Sequence, residues 1–173
     1  MSQVLYKKGN IEKIIDVDWS RKQNKFFSPL HGIASYLAMF CPALPKYFIE
    51  KYTSENDVVM DNFSGRGTTA LVSRELNRNF IGSDLNPYSF VLTKFKCSKI
   101  SKQNIINRIN ELKEKFKESN INISSKKYNE IKIFYSNFTF KQLVFIRNEI
   151  GTNWLKNNEV DNAILAFCLG LMH

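Results

Sequence analysis

Between residues 57 and 84 the chain passes through an apolar segment, a glycine turn, a helical segment and a second apolar segment, an order that few folds accept. "DVVMD" (57–61) has the length and β-branched content of a short buried strand. "NFSGRG" turns the chain, "TTALVSREL" (68–76) reads as a helix, and "NFIGSD" (79–84) reads as a second strand. Two strands joined through a helix pair in parallel, so this unit predicts the start of an α/β sheet. Upstream, apolar positions recur at three- and four-residue spacing from Ile33 to Tyr52, broken by Pro42 and Pro45. That spacing predicts one helix near Ile33 to Phe40 and another starting at Pro45, since proline fits a first helical turn. A further helix is expected from Pro87 to about Phe95.

Beyond residue 100 the pattern turns helical. Ile105, Ile106, Ile109, Leu112 and Phe116 share one face of a helix between Lys102 and Glu118, with Lys and Glu opposite. Residues 123–137 read as a loop with an extended piece, and 139–150 as a helix with Thr139 as N-cap and Gly151 as its stop. The last segment, "DNAILAFCLGLMH", starts at a candidate N-cap, Asp161, and is then almost wholly apolar. Such a helix needs neighbours on every side, as it would inside a larger fold. With no repeat or low-complexity linker, the chain reads as a single incomplete domain: a ligand-binding segment over 26–100 and a mainly helical extension over 101–173. Residues 1–30 are mixed and basic, with Trp19 and Phe26-Phe27 as candidate docking points.

Charge and cysteine content narrow the partners. Lys and Arg number 25 against 16 Asp and Glu, a formal charge of +9, which favours polyanions such as nucleic acid. The runs Lys7-Lys8, Arg21-Lys22, Lys94-Phe95-Lys96 and Lys126-Lys127 fit phosphate contacts. Cys41, Cys97 and Cys168 are scattered, make no metal-ligand spacing, and read as reduced thiols of a cytoplasmic protein. No signal-peptide pattern opens the chain. The longest apolar run, Ala163 to Met172, is half the roughly twenty residues of a membrane span, so no membrane role is expected.

The glycine turn limits the ligand. A phosphate-binding P-loop needs a Gly-Lys pair, which is absent. The dinucleotide fingerprint is matched formally by Gly65, Gly67 and Ala70 with Asp84 downstream, but Asn62, Phe63 and Ser64 separate the strand from the first glycine. An acid at the strand tip suits S-adenosylmethionine better. Asp61 can hold its ammonium group, and Asp84, at the next strand's tip, its ribose hydroxyls.

With those residues in view, "DNFSGRGTTALVSRELNRNFIGSDLNPYS" resembles the adenosylmethionine-binding region of DNA amino-methyltransferases, which act on cytosine N4 or adenine N6. The resemblance implies a partial Rossmann-like class I methyltransferase fold, α/β with a short parallel sheet and additional helices in the C-terminal half. It implies a cofactor site at Asp61, Phe63, Gly65, Gly67, Thr68, Thr69, Asp84, Asn86 and Pro87. "SPLHGIASYLAMFCPALPKYFIEKY" (28–52) is similar to the segment that walls the cofactor in these enzymes, bringing in His31, Tyr36, Phe40 and Pro42. Two positions depart from the family pattern. Asn62 stands for its proline, and Arg66 for a small central residue, adding bulk and charge to a tight loop unless it points outward.

The methyl-accepting half of the chemistry is missing from the sequence. The family holds the target amine with an Asp, Ser or Asn, then Pro-Pro and an aromatic residue, whereas Pro29, Pro42, Pro45 and Pro87 are the only prolines and none are adjacent. Asn86-Pro87-Tyr88 follows Asp84 directly and belongs to the cofactor side, so no catalytic residue is assigned. The expectation is a cofactor-binding portion that partners DNA through its basic surface. A missing segment or complementary C-terminal chain would supply the catalytic loop. The alternative is an inactive relative that binds nucleic acid or a partner chain.

Overall fold

The computed structural model describes residues 28–34, 36 and 39–172, together with the backbone of 3–7 and 10–14. The docking candidates Trp19, Phe26 and Phe27 and the basic residues Lys8, Arg21 and Lys22 lie outside the described residues. Near the N-terminus β1 (Gln3–Lys7) and β2 (Asn10–Ile14) form an antiparallel ladder that the reading of a mixed, basic segment did not anticipate.

The parallel unit is present. β3 (Val58–Asp61) pairs with β4 (Asn79–Gly82), Val58 opposite Asn79 and Asp61 opposite Gly82. Between them α2 (Thr68–Glu75), which follows α1 (Ala43–Tyr52) in the chain, crosses over the sheet and packs on both strands. It ends in a left-handed residue, Asn77 at φ +58°, after which the Arg78 N–H reaches back to the Ser73 carbonyl at 2.8 Å. That closure satisfies one of the terminal carbonyls and turns the chain into β4. Arg78 then donates to the Thr53 hydroxyl and carbonyl at 3.0 and 2.8 Å, fixing the end of α1 beside it.

Among the described residues, only one face of this sheet is covered. Met60 and Ile81 are register partners on the other face and stand 66 and 56% exposed, with Val58 beside them equally open. The expectation of a buried strand therefore fails on that side. Helix α2 shields one face, and none of the described elements covers the other. In the upstream segment the predicted helix near Ile33 to Phe40 is replaced, among the described residues, by a 3-10 turn at Pro29–Gly32 and bends at Ile33 and Ala34.

Helix α3 (Pro87–Cys97) links the sheet to the helical half. Asn86 caps its start by accepting the Tyr88 N–H at 3.0 Å, and proline fills the first turn. Beyond it, α4 (Lys102–Glu118) has the predicted bounds. Helix α5 (Asn137–Ile146) starts two residues before the expected Thr139, because Ser136 is the cap, and it runs on through a π turn to Gly151. Helix α6 (Glu159–Leu171) is likewise capped by Asn158 instead of Asp161. Residues 123–137 hold a 3-10 turn and one helical turn, Asn129–Lys132, in place of the extended piece. Val91, Leu92 and Phe95 of α3, Leu112 of α4, Phe145 of α5 and Ile164 of α6 share one core, fixed at its rim by Arg108 donating to Asp161 at 2.7 Å. Burial of α6 is complete only from Asn162 to Ala166, and Leu171 emerges at its end. Among the described residues, no helix is long and apolar enough to cross a membrane.

Candidate functional site

Both predicted acids stand at the C-terminal tips of neighbouring parallel strands, with the glycine loop between them. The Asp61 carboxylate accepts the Phe63 N–H at 3.0 Å and the Thr69 hydroxyl at 2.7 Å. The Asp84 carboxylate accepts the N–H of Gly65 at 2.8 Å and of Asn86 at 2.9 Å. Burial works to raise the Asp84 pKa, but the N–H groups of Asn86 and Gly65 and the Ser89 hydroxyl outweigh it and hold the carboxyl below its ordinary value. A carboxylate offers about four lone-pair positions, so each acid keeps acceptor capacity for a ligand beyond its bonds within the fold.

The loop needs its glycines. Gly65 and Gly67 sit at φ +50° and +75°, the left-handed region that residues with a Cβ avoid. A Cβ on Gly67 would also lie 2.9 Å from Thr93 Cα, so α3 packs directly on the loop. Ser64, buried at the loop's start, anchors it by donating toward the carbonyls of Asp61 and Ser83 at 3.0 and 3.2 Å. Phe63, by contrast, is 87% exposed and presents its ring to solvent beside the strand tip.

The remaining expected residues separate into two groups. Asn86 and Pro87 are exposed at the start of α3, and Tyr36 joins them: its hydroxyl lies 2.6 Å from Ser89 Oγ and 3.4 Å from Asn86 Nδ2. Thr69 faces Asp61, but Thr68 is buried and its hydroxyl takes the Arg66 Nε at 3.3 Å. His31 is wholly buried, its Nε2 3.8 Å from Glu75. Burial first, then the charges of Lys96 and Arg66, push the His31 pKa down to about 4. Phe40 and Pro42 lie just before α1, which packs against α2.

Two basic residues turn inward, and for Lys96 this overturns the expectation of a phosphate contact. Arg66 turns inward, 5% exposed, so its bulk is taken up beneath the loop and not in solvent. Lys96, grouped by sequence with phosphate-contacting runs, is fully buried and its Nζ donates to the Arg66 carbonyl at 2.5 Å. It cannot touch a phosphate from there. Ser89, Thr93 and Lys96 recur at four- and three-residue spacing along α3, forming a polar stripe on one side of the helix with no counterpart in the sequence-based expectation. A cavity of about 200 Å³ lies along this stripe, lined by Ser64, Gly82, Asp84, Ser89 and Thr93. A larger one of about 570 Å³ opens among α3, α5 and α6, with Tyr88, Tyr128, Phe140 and Trp154 in its wall.

Parallel strands joined through a glycine turn and a crossover helix define a protein of the α/β class. A DNA methylase family model spanning N6 and N4 amino-methyltransferases matches residues 6–95, and the chain belongs to that family. It is 29% identical over 99 residues to the type II methyltransferase M.MjaII of Methanocaldococcus jannaschii, covering 57% of this chain and 19% of that protein. Over 72 residues it is 48% identical to M1.MboII of Moraxella bovis, covering 39% of this chain and 27% of the relative. Over 85 residues it is 32% identical to M.PvuII of Proteus hauseri, covering 48% and 25%. The matches thus span about a fifth to a quarter of these relatives' lengths. No solved structure matches the chain.

Proposed function

We propose that this chain is the cofactor-binding portion of a DNA amino-methyltransferase that modifies cytosine N4 or adenine N6 with S-adenosylmethionine. One observation carries the reading: Asp61 and Asp84 flank the Gly65–Gly67 loop at adjacent strand tips, inside the stretch that matches the family. The residues fit the cofactor. Spare lone pairs on Asp61 suit an ammonium group, those on Asp84 suit ribose hydroxyls, and the exposed Phe63 ring offers an apolar platform. The bound cofactor supplies an electrophilic methyl group. This chain's part is to hold and orient it, with Thr69 aiming Asp61 and the positive-φ glycines letting the backbone approach.

The target amine must be positioned by groups this sequence lacks, from a further segment or a complementary chain. The bare face of β3 and β4 supports that division, because parallel sheets ordinarily have both faces covered. The net charge of +9 supports DNA as the other partner, and the unpaired thiols suit the cytoplasm. Calorimetry with S-adenosylmethionine tests the site. Asp61→Ala and Asp84→Ala should each lose about 1.5–3 kcal/mol, roughly ten- to a hundredfold in affinity. Equal affinity in parent and variants would remove the assignment.

A further inference from the structure

Asp84 is held by a backbone donor on each oxygen, the Gly65 N–H on Oδ2 at 2.8 Å and the Asn86 N–H on Oδ1 at 2.9 Å. Both donor residues meet one side chain from far upstream. The Tyr36 ring covers the open side of Gly65, where a Cβ would stand 3.6 Å from Tyr36 Cε1. The Tyr36 hydroxyl lies 3.4 Å from Asn86 Nδ2. That amide is turned to donate, because Asn86 Oδ1 already accepts the Tyr88 N–H at 3.0 Å and leaves Nδ2 facing the phenol. Accepting from Asn86, the phenol can give its own hydrogen to the Ser89 hydroxyl, 2.6 Å away and wholly buried in the first turn of α3. Packing fixes Ser89, so the phenol is moored to a rigid element. Tyr88 stands beside the ring, with centroids 6.0 Å apart. Among the described residues Tyr36 makes no hydrogen bond to Asp84 itself.

We propose that Tyr36 is a positioning residue for Asp84: its ring and hydroxyl clamp Gly65 and Asn86, the two residues whose N–H groups fix the carboxylate, and so set the direction of its remaining lone pairs. This is a different part from that of a wall against the cofactor. Gly65 has a left-handed backbone and no side chain with which to pack, so a group from outside the loop must hold it. Asn86 is exposed at the start of a helix, where ends fray. A ring over the first and a hydroxyl on the second fix both donors at once. Burial works to raise the Asp84 pKa, and the donors overcome it, as groups locked in place can. The segment before α1 is thereby coupled to the acid beyond β4.

A cofactor at Asp84 rests on the function proposed above, but the clamp can be read without any ligand. NMR on residues 1–173 follows the Asp84 carboxyl carbon through its titration and the Gly65 and Asn86 amides through their exchange. Tyr36→Phe keeps the ring and removes the hydroxyl. The Asp84 pKa should then rise toward its ordinary value, although the altered group makes no bond to that carboxylate. Protection of the Asn86 amide should fall roughly fivefold while that of Gly65 holds, since the ring still covers it. Tyr36→Leu, which removes ring and hydroxyl together, should lower both. A residue that merely supports the fold would not split the two donors in this way. An Asp84 titration unmoved by Tyr36→Phe, or an equal loss of protection across α2 and α4, would overturn the proposal. Adenosylmethionine affinity should fall roughly fivefold in Tyr36→Phe, and a variant that binds as tightly as a binding parent would also overturn it. A parent that shows the ligand-free pattern but binds no adenosylmethionine would count against the proposed function and leave the clamp supported.

Discussion

The Thr69 hydroxyl lies 2.7 Å from Asp61 Oδ2, so the first turn of α2 aims the carboxylate that tips β3. Thr69→Val removes that bond and keeps the shape. It should weaken adenosylmethionine binding by about 1 kcal/mol, roughly fivefold, with little change in melting temperature. Calorimetry beside a thermal melt separates the two effects. Unchanged affinity would mean that Asp61 holds its orientation without this hydroxyl.

Gly67→Ala should act on the fold. The left-handed backbone costs a residue with a Cβ about 1–2 kcal/mol, and the contact with Thr93 Cα adds to it. A drop of roughly 5 °C or more in melting temperature is the expected result. A variant that melts with the parent would show that α3 can yield at Thr93.

Stability should vary with pH through two buried bases whose folded pKa values are lowered. Folding a neutral His31 gains nothing below about pH 4, gains progressively toward the ordinary value of 6.5, and is fully expressed above it. Lys96 repeats the pattern between about 7 and its ordinary 10.5, so its contribution also grows as pH rises. Glu75, Cys97 and Cys168, with raised pKa values, pull the other way as they ionise. Denaturation midpoints of the parent minus those of His31→Gln and Lys96→Met isolate each window. A difference curve that slopes downward with pH in either window would contradict the burial assigned to that group.

Arg108 and Asp161 join α4 to α6 with both side chains largely buried, at 20 and 13% exposure. The hydrogen bonds that Arg108 donates to Asp161 and Glu111 raise its pKa above its ordinary value. A double-mutant cycle with Arg108→Ala and Asp161→Ala should return a coupling of about 1 kcal/mol or more. Purely additive losses would make the pair incidental to helix packing.

Residues 1–173 alone should transfer no methyl group to DNA, because nothing in the sequence can hold the amine as a Pro-Pro-aromatic loop would. A labelled-methyl assay on mixed-sequence DNA is the check. Turnover by this chain would redirect attention to Asn86-Pro87-Tyr88.

Residues whose pattern carries their own geometry were legible from sequence. Ile105, Ile109, Leu112 and Phe116 repeat every three or four positions, and α4 lies where they put it. The two misplaced caps share one cause. Thr139 and Asp161 sit three residues after Ser136 and Asn158, which accept their N–H groups at 3.1 and 2.9 Å, so the capped residue was read as the cap. Lys96 was misread because charge says nothing about direction. Its place on the same helical stripe as Ser89 and Thr93 decides that, and it follows from spacing only once the helix is known to lie against the loop. The exposure of Met60 had no local signal at all, since an apolar strand looks the same with or without a neighbour over it.

The inward turn of Arg66 has a practical consequence for cleavage. Trypsin cuts after lysine and arginine, and of the 25 such residues here Arg66 and Lys96 are withdrawn beneath the loop. Their peptide bonds should survive a light digest that removes exposed basic sites on α4 and in the Lys126–Tyr128 turn. The appearance of a fragment ending at Arg66 would then mark the moment the loop comes apart, giving a bench readout of its integrity from a gel band alone.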